Sequence, residues 1–217
     1  MPSAQKRKVL EKTRKRQRRG VLYLILAIVL VVIIAGGVYA YVSSLPPSIE
    51  YAKLSTSKGT IEVELYRSLA PTTVDNFVSL AKSGFYNNLV WHRIYPGFVI
   101  QTGDPTTRNG GGTNSTWGSG QGPQRIPFEN VTSLHNYAGY LAMARVGSDF
   151  GSATSQFFVN LSDNSGQLDG KYAVFGNVIS GMDAVNAIAS VPIYHPPDGQ
   201  PIAPYPFLVS VTISNSP

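Results

Sequence analysis

Thiol and imidazole side chains are sparse in this chain of 217 residues, which has no cysteine and three histidines. The absence of cysteine excludes disulfides, thiolate catalysis and cysteine-built zinc sites. His92, His135 and His195 lie far apart without ligand spacing, so a histidine-built metal site is not expected. The glycine-rich stretch 109–122, NGGGTNSTWGSGQG, lacks the Gly-Lys-Ser/Thr ending of a phosphate-binding loop, and no helical pattern follows it. We interpret it as a flexible surface loop.

Polar and aromatic side chains that could contribute to a catalytic or binding site occur together in three separated blocks. Residues 91–104 read WHRIYPGFVIQTGD, residues 155–158 read SQFF and residues 168–176 read LDGKYAVFG. Taken singly, an arginine most often forms a surface salt bridge, and an aromatic residue in a strand most often packs in the core. In this order and spacing, the blocks resemble the cyclophilin family of peptidyl-prolyl isomerases. The segments APTTVDNF at 70–77 and LAMAR at 141–145 support the resemblance.

The resemblance covers roughly residues 50–214 and implies both a fold and an activity. The fold is mainly β: an eight-stranded antiparallel closed barrel capped by two α-helices, with the active groove on its outer surface. The activity is rotation about X–Pro peptide bonds, which faces a barrier of about 18–20 kcal/mol because twisting destroys amide resonance. No bond is broken, so no nucleophile, cofactor or metal is required. The site needs only to bind the twisted amide better than the planar one.

The resemblance also assigns residues to this chemistry. In the twisted state the proline nitrogen regains a lone pair, so a fixed donor aimed at that nitrogen stabilises the transition state selectively. Arg93 matches the family's donor, and its guanidinium is always charged and offers a rigid fork of N–H groups. Gln101 and Phe98 match further catalytic positions. The positions implied for substrate binding are Val99, Ala144, Arg145, Gln156, Phe158, Leu168 and Tyr172.

Four positions depart from the pattern common in the family. Val99 stands where many members have Met, and Tyr172 stands where many have His. Gln167 replaces the Trp that is associated with tight cyclosporin binding, so we expect weak cyclosporin sensitivity. Arg145 replaces an Asn and adds a charge, from which we hypothesise a preference for acidic residues beside the proline. His92 is expected to be structural, because the reaction needs no acid or base.

The elements that must position these side chains are mostly short strands. Strand patterns cover 51–57, 60–66, 90–94, 98–102, 140–145, 156–161, 172–178 and 207–213. Pro71 and Gly84 delimit one amphipathic helix, and a second is predicted over 181–190. Many short strands with turn signals and only two helices indicate an antiparallel barrel or sandwich, between which periodicity alone does not choose.

The N-terminal part of the chain has a different composition. Residues 1–20 carry nine of the 18 Lys and Arg and one acid, so the net charge of +6 consists of a +8 tail and a remainder of −2. Residues 21–42 carry no charge and are long enough to span a hydrocarbon core of about 30 Å. By the positive-inside rule we predict a signal-anchor, with 1–20 as a cytoplasmic tail and 21–42 as a transmembrane helix. Residues 43–48 would be a linker, and 49–217 an extracytoplasmic isomerase domain.

Two other interpretations of the N-terminal part stay open. A cleavable signal peptide has an apolar region of about 7–15 residues, which is shorter than this one, although Ala40 permits cleavage. The basic run could instead bind nucleic acid or anionic lipid. The basic run directly precedes the apolar segment, and the positive-inside rule already explains this placement. We therefore expect no nucleic-acid partner.

The function expected from the sequence is prolyl isomerisation by a single-pass cell-membrane protein. Its monomeric domain would act on proline-containing extracytoplasmic polypeptides and assist their folding. The alternative is a catalytically weak module, or a chaperone, that holds proline segments at the membrane surface. Asn114, Asn130 and Asn160 begin glycosylation sequons, of which Asn160 is doubtful because it shares a strand face with Phe158.

Overall fold

The computed structural model describes Val21, Tyr23, Ile25, Leu26 and residues 28–41 and 49–216. Residues 28–41 are helical. Within the described residues, no helix is both long enough and apolar enough to cross a membrane. The predicted tail 1–20 and linker 43–48 lie outside the described residues, as do four positions of the predicted span, Leu22, Leu24, Ala27 and Val42. The membrane span therefore stays a prediction.

A single antiparallel sheet dominates the described part of residues 49–216 and contains nine strands. The strands are β1 Glu50–Thr56, β2 Gly59–Leu65, β3 Leu89–Val90, β4 Arg93–Tyr95, β5 Val99–Thr102, β6 Tyr140–Met143, β7 Phe157–Asn160, β8 Val174–Ser180 and β9 Phe207–Ser214. Their order is β3-β9-β1-β2-β8-β6-β7-β5-β4. The mainly β prediction is confirmed.

The prediction of a closed barrel with eight strands is wrong. The predicted strand 90–94 is two strands, because β3 pairs with β9 whereas β4 pairs with β5. Between them, the Trp91 N–H donates to the Pro206 carbonyl. Gly199 occupies the other edge of β4 by exchanging two main-chain hydrogen bonds with Ile94. No ladder therefore joins β3 to β4 in residues 49–216, and the barrel is open at this point.

Both predicted helices are confirmed. Helix α1 spans Pro71–Lys82 and buries Val74, Phe77, Val78 and Ala81, as their spacing predicts. Helix α3 spans Met182–Ala189. The sequence did not predict the short helix α2, Ser165–Leu168, or the 3-10 helix Pro105–Gly110.

Strand β7 separates two apolar clusters. Phe157 is fully buried in the main core, where its ring meets Phe77 and Trp91 edge-on. Phe158 belongs to a second, smaller cluster. Successive side chains of a strand point to opposite faces of the sheet. The second cluster consequently lies on the face opposite the core.

The sequon residue Asn160 is also buried. Its amide nitrogen donates to the Tyr140 carbonyl, and its amide oxygen accepts from Asn164. A side chain with both ends engaged inside the fold is a poor acceptor for a glycosylating enzyme.

Candidate active site

The smaller cluster is an apolar patch on the face of the sheet opposite the core, and we call it the apolar pocket. Its buried members are Val99, Ala142, Phe158, Leu168 and Val174, and the partly buried residues against them include Phe98, Ala144 and Tyr172. The rings of Phe158 and Tyr172 meet edge to face with centroids 5.4 Å apart. An apolar surface of this kind can hold a small ring such as that of proline.

A row of polar side chains runs beside the pocket on neighbouring strands. Arg93 on β4 lies opposite Gln101 on β5, and Gln101 lies opposite Phe158 on β7. Arg93 Nη1 lies 3.4 Å from Gln101 Oε1, and Gln101 Nε2 donates to Gln156 Oε1 at 2.9 Å. The register of three strands thus brings a guanidinium and two amides next to Phe158.

Arg93 has a second partner that the sequence did not reveal. Its Nε donates to Asp198 Oδ1 at 2.8 Å, and its Nη2 donates to Asp198 Oδ2 at 2.6 Å. The two side chains are each 38% exposed, so the pair lies at the edge of the groove. Asp198 belongs to a proline-rich stretch without periodicity, and no sequence signal links it to Arg93.

The glycine-rich stretch 109–122 is a mostly exposed loop, as predicted, and it is tied to the site at Gly118 and Gly120. The buried carboxylate of Asp104 accepts hydrogen bonds from the Thr106, Gly118 and Gly120 amides. The Gly118 and Gly120 carbonyls in turn accept from Gln156 Nε2, at 3.0 and 2.7 Å. The sequence signal was the Asp-Pro pair at 104–105, because Asp is a favoured residue before a first helical turn that begins with Pro.

Arg145 holds a neighbouring loop to the rim of the pocket. Its Nε donates to the Lys171 carbonyl at 2.7 Å, and Nη1 bonds the Gly147 carbonyl. Its guanidinium carbon lies 4.4 Å from the ring centroid of Phe150 and 4.8 Å from that of Tyr172. Stacking between two rings gives Arg145 a packing role. The preference for acidic neighbours of the proline stays a prediction.

Ala144 and Gln156 are joined through the main chain. The Ala144 N–H donates to the Gln156 carbonyl at 2.9 Å. A peptide that paired with the chain here would therefore have to use main-chain groups other than this N–H.

The imidazole of His92 lies behind the groove. It is 2% exposed, and burial lowers the pKa of His92 to about 4 even though the nearby Asp104 carboxylate acts in the opposite direction. The side chain is therefore neutral near pH 7, which fits the predicted structural role.

Two adjoining depressions make up the polar groove. Gln101, Gly118 and Arg145 contribute to both. One depression lies against Ala144 and Gln156, and the other, of about 440 Å³, lies against Arg93 and Asp198. All ten residues predicted for the site thus lie in the apolar pocket, in the polar row or beside them. Across the described residues, no three His, Asp or Glu side chains are grouped as a metal site.

Comparison with known sequences finds a family match that lies within residues 49–216. A model of the family described as "Cyclophilin type peptidyl-prolyl cis-trans isomerase/CLD" matches residues 51–208. A peptidyl-prolyl cis-trans isomerase of Acinetobacter baylyi is 40% identical over 166 residues, which cover 75% of this chain and 82% of the relative. Peptidyl-prolyl cis-trans isomerase A of Dickeya dadantii is 42% identical over 142 residues, which cover 64% and 70%.

Solved structures agree with the sequence relatives. A crystal structure of a cyclophilin type peptidyl-prolyl cis-trans isomerase of Cryptosporidium parvum matches with a TM-score of 0.68 and 28% identity, covering 78% of this chain and 99% of that one. The same protein, crystallised in the presence of the dipeptide Ala-Pro, matches with a TM-score of 0.65 and 29% identity, covering 76% and 99%. The family match spans more than half of the chain, so the chain belongs to the cyclophilin family and is a peptidyl-prolyl cis-trans isomerase of this type.

Proposed function

We propose that Arg93 is the donor that stabilises the twisted X–Pro amide. The observation that carries this proposal is the closeness of a fixed guanidinium to an apolar pocket. Arg93 faces Gln101, and Gln101 faces Phe158 across adjacent strands. A proline ring held between Phe98, Phe158 and their neighbours would bring its nitrogen towards this row of donors.

Each remaining site residue has a part in the same mechanism. The pocket residues Val99, Leu168 and Tyr172 hold the ring while the rest of the peptide turns. Gln101 and Gln156 orient Arg93 and the substrate backbone, since the three side chains form one hydrogen-bonded row. Ala144 and Arg145 border the path of the bound peptide. Stabilisation is selective because the planar amide nitrogen has no lone pair to accept the hydrogen bond.

The substrate that this site fits is a polypeptide containing proline. The relative from Cryptosporidium parvum crystallised in the presence of Ala-Pro supports this choice. We place the substrate outside the cytoplasm, with the domain held at the cell membrane by residues 21–42. The support for this location is the uncharged run 21–42, preceded by the basic residues of 1–20.

The decisive experiment is an exchange assay on the full chain in detergent, with a proline tetrapeptide followed by NMR. We expect Arg93→Ala to lower kcat/KM by roughly 100-fold, the usual scale for removing a donor aimed at a transition state. Arg93→Lys should recover little, because an ammonium lacks the planar fork. Lys82→Ala removes an exposed cation at the end of α1 and should leave the rate unchanged.

The same assay separates an enzyme from a binding module. If the folded wild type binds the peptide but does not accelerate exchange, the alternative of a proline-binding module replaces the enzymatic role. If Arg93→Ala retains full activity while it stays folded, Arg93 is not the donor.

A further inference from the structure

The proline-rich stretch after α3 folds into a small hairpin, which we call the 193–201 hairpin. A bridge pairs Ile193 with Pro201, and the Tyr194 N–H donates to the Gln200 carbonyl at 2.9 Å. Just beyond it, the Ile202 N–H donates to the Pro192 carbonyl at 2.8 Å. The tip of the hairpin carries Asp198.

The hairpin is fastened directly beside Arg93. The Ile94 N–H donates to the Gly199 carbonyl at 2.9 Å, and the Gly199 N–H donates to the Ile94 carbonyl at 3.1 Å. A Cβ at position 199 would lie 1.7 Å from the Tyr194 carbonyl oxygen, so this close turn requires glycine. Gln200 adds a bond from its amide to the Asn114 carbonyl at 3.0 Å. Because Ile94 and Gly199 pair antiparallel, their chain neighbours Arg93 and Asp198 lie on the same face of this pairing, where the two side chains meet.

The contact with Asp198 occupies the edge of the Arg93 guanidinium that carries Nε and Nη2. Asp198 accepts from Nε and Nη2, and Gln101 accepts from Nη1. A guanidinium has five N–H groups, so two remain after these three bonds. With partners on both sides, the plane of the guanidinium is fixed by Asp198 and Gln101 together.

We propose that Asp198 is a positioning residue for the isomerase reaction. It acts through Arg93, by holding the guanidinium in the orientation in which its two remaining N–H groups face the groove. A donor that is already oriented loses less conformational entropy when the twisted amide forms. Its orientation therefore lowers the free energy of the transition state. The proposal rests on Arg93 being the donor, as proposed above.

Asp198→Asn tests this role, because it keeps the size of the side chain but replaces one acceptor oxygen by a donor. We expect kcat to fall about tenfold, with KM changed by less than about twofold, because the apolar pocket still binds the proline. Asp198→Glu keeps the carboxylate and should recover most of the loss. Asp183→Asn removes an exposed carboxylate in the first turn of α3 and serves as the control.

A double-mutant cycle assigns the effect to Arg93. In the Arg93→Ala background, Asp198→Asn should change the residual rate by less than about twofold, because the group it orients is gone. A further tenfold loss in that background would overturn the proposal, and so would a wild-type kcat for Asp198→Asn or an effect confined to KM. If Arg93→Ala itself keeps full activity, the proposed function fails. If only the Asp198 variants are silent, this inference alone fails.

The orientation of Arg93 can also be measured in the wild-type protein, where no substitution can disturb folding. In the wild-type protein, the Nε–H proton of Arg93 should give a resolved NMR signal that exchanges slowly with water, because Asp198 Oδ1 holds it. Asp198→Asn should remove that signal, whereas Asp183→Asn should keep it. A signal of Arg93 that exchanges as fast as that of a free arginine in the wild type would contradict the fixed orientation.

Discussion

At the scale of single residues, His92 and Arg93 are neighbours in the chain with opposite environments. His92 is 2% exposed behind the groove, while the Arg93 side chain reaches Asp198 at the surface. Burial disfavours the charged imidazole, so His92 stays neutral and adds no positive charge behind Arg93. The arginine is therefore the charged member of the pair near pH 7.

The buried His92 makes folding depend on pH in a defined window. Its pKa is lowered from 6.5 to about 4 in the folded protein, so the unfolded chain binds the proton more readily between these values. The free energy of unfolding should therefore fall as the pH drops from about 6.5 to about 4, by up to about 3 kcal/mol. Urea unfolding at a series of pH values measures this effect.

The control for the pH effect is His92→Gln, a polar side chain of similar reach that does not titrate. The difference in unfolding free energy between wild type and variant should shrink as the pH falls. A difference that is constant between pH 7 and 4 would contradict the assignment to His92.

At the scale of elements, the register of short strands brings the pocket and the polar row together, whereas the glycine-rich loop fixes Gln156. The strand patterns and both helices could be predicted because alternation and helical spacing follow burial on one face. The break at Trp91 could not, because a run as short as 90–94 fits either one strand or parts of two. Asp198 is 105 positions from Arg93, and its contact depends on a main-chain pairing that leaves no local pattern.

Gly120 tests the importance of the glycine-rich loop. A Cβ at this position would lie 2.0 Å from Asp104 Oδ1, so Gly120→Ala must displace the buried carboxylate or the loop. We expect a loss of about 1–3 kcal/mol in stability and a several-fold lower kcat, because Gln156 loses its fixed acceptors. Thermal unfolding and the exchange assay measure the two effects.

Gly166→Ala is the matched control for Gly120→Ala. No atom lies within 4 Å of a Cβ built at Gly166, which lies in α2. Its rate should equal that of the wild type, and its stability should be equal or higher by up to about 1 kcal/mol, because Ala favours a helix more than Gly does. Equal behaviour of the two variants would mean that the loop does not depend on close packing at Gly120.

At the scale of the whole molecule, the proposed anchor and the isomerase domain differ in charge and composition. With residues 21–42 in the bilayer, the full chain should stay with membranes during alkaline carbonate extraction. Protease added from outside intact cells should digest the domain. Replacing Val31 and Ile34 with Lys should release the chain, because each charge at the centre of a span costs about 2.5–3.5 kcal/mol.

Two results would contradict the proposed anchor. Complete release of the wild-type chain by carbonate would exclude a membrane span. A mature chain shortened at its N-terminus would instead support the cleaved signal peptide that Ala40 permits.

The pairing of Gly199 with Ile94 has a further consequence for substrate handling. An unpaired strand edge is a template on which any extended chain can add itself as another strand. Both main-chain groups of Ile94 are hydrogen-bonded to Gly199, so β4, the strand that carries Arg93, has no free groups at Ile94 for pairing with a substrate. An extended substrate segment would therefore have to bind in the groove, because it could not add itself to this edge of β4 as a further strand.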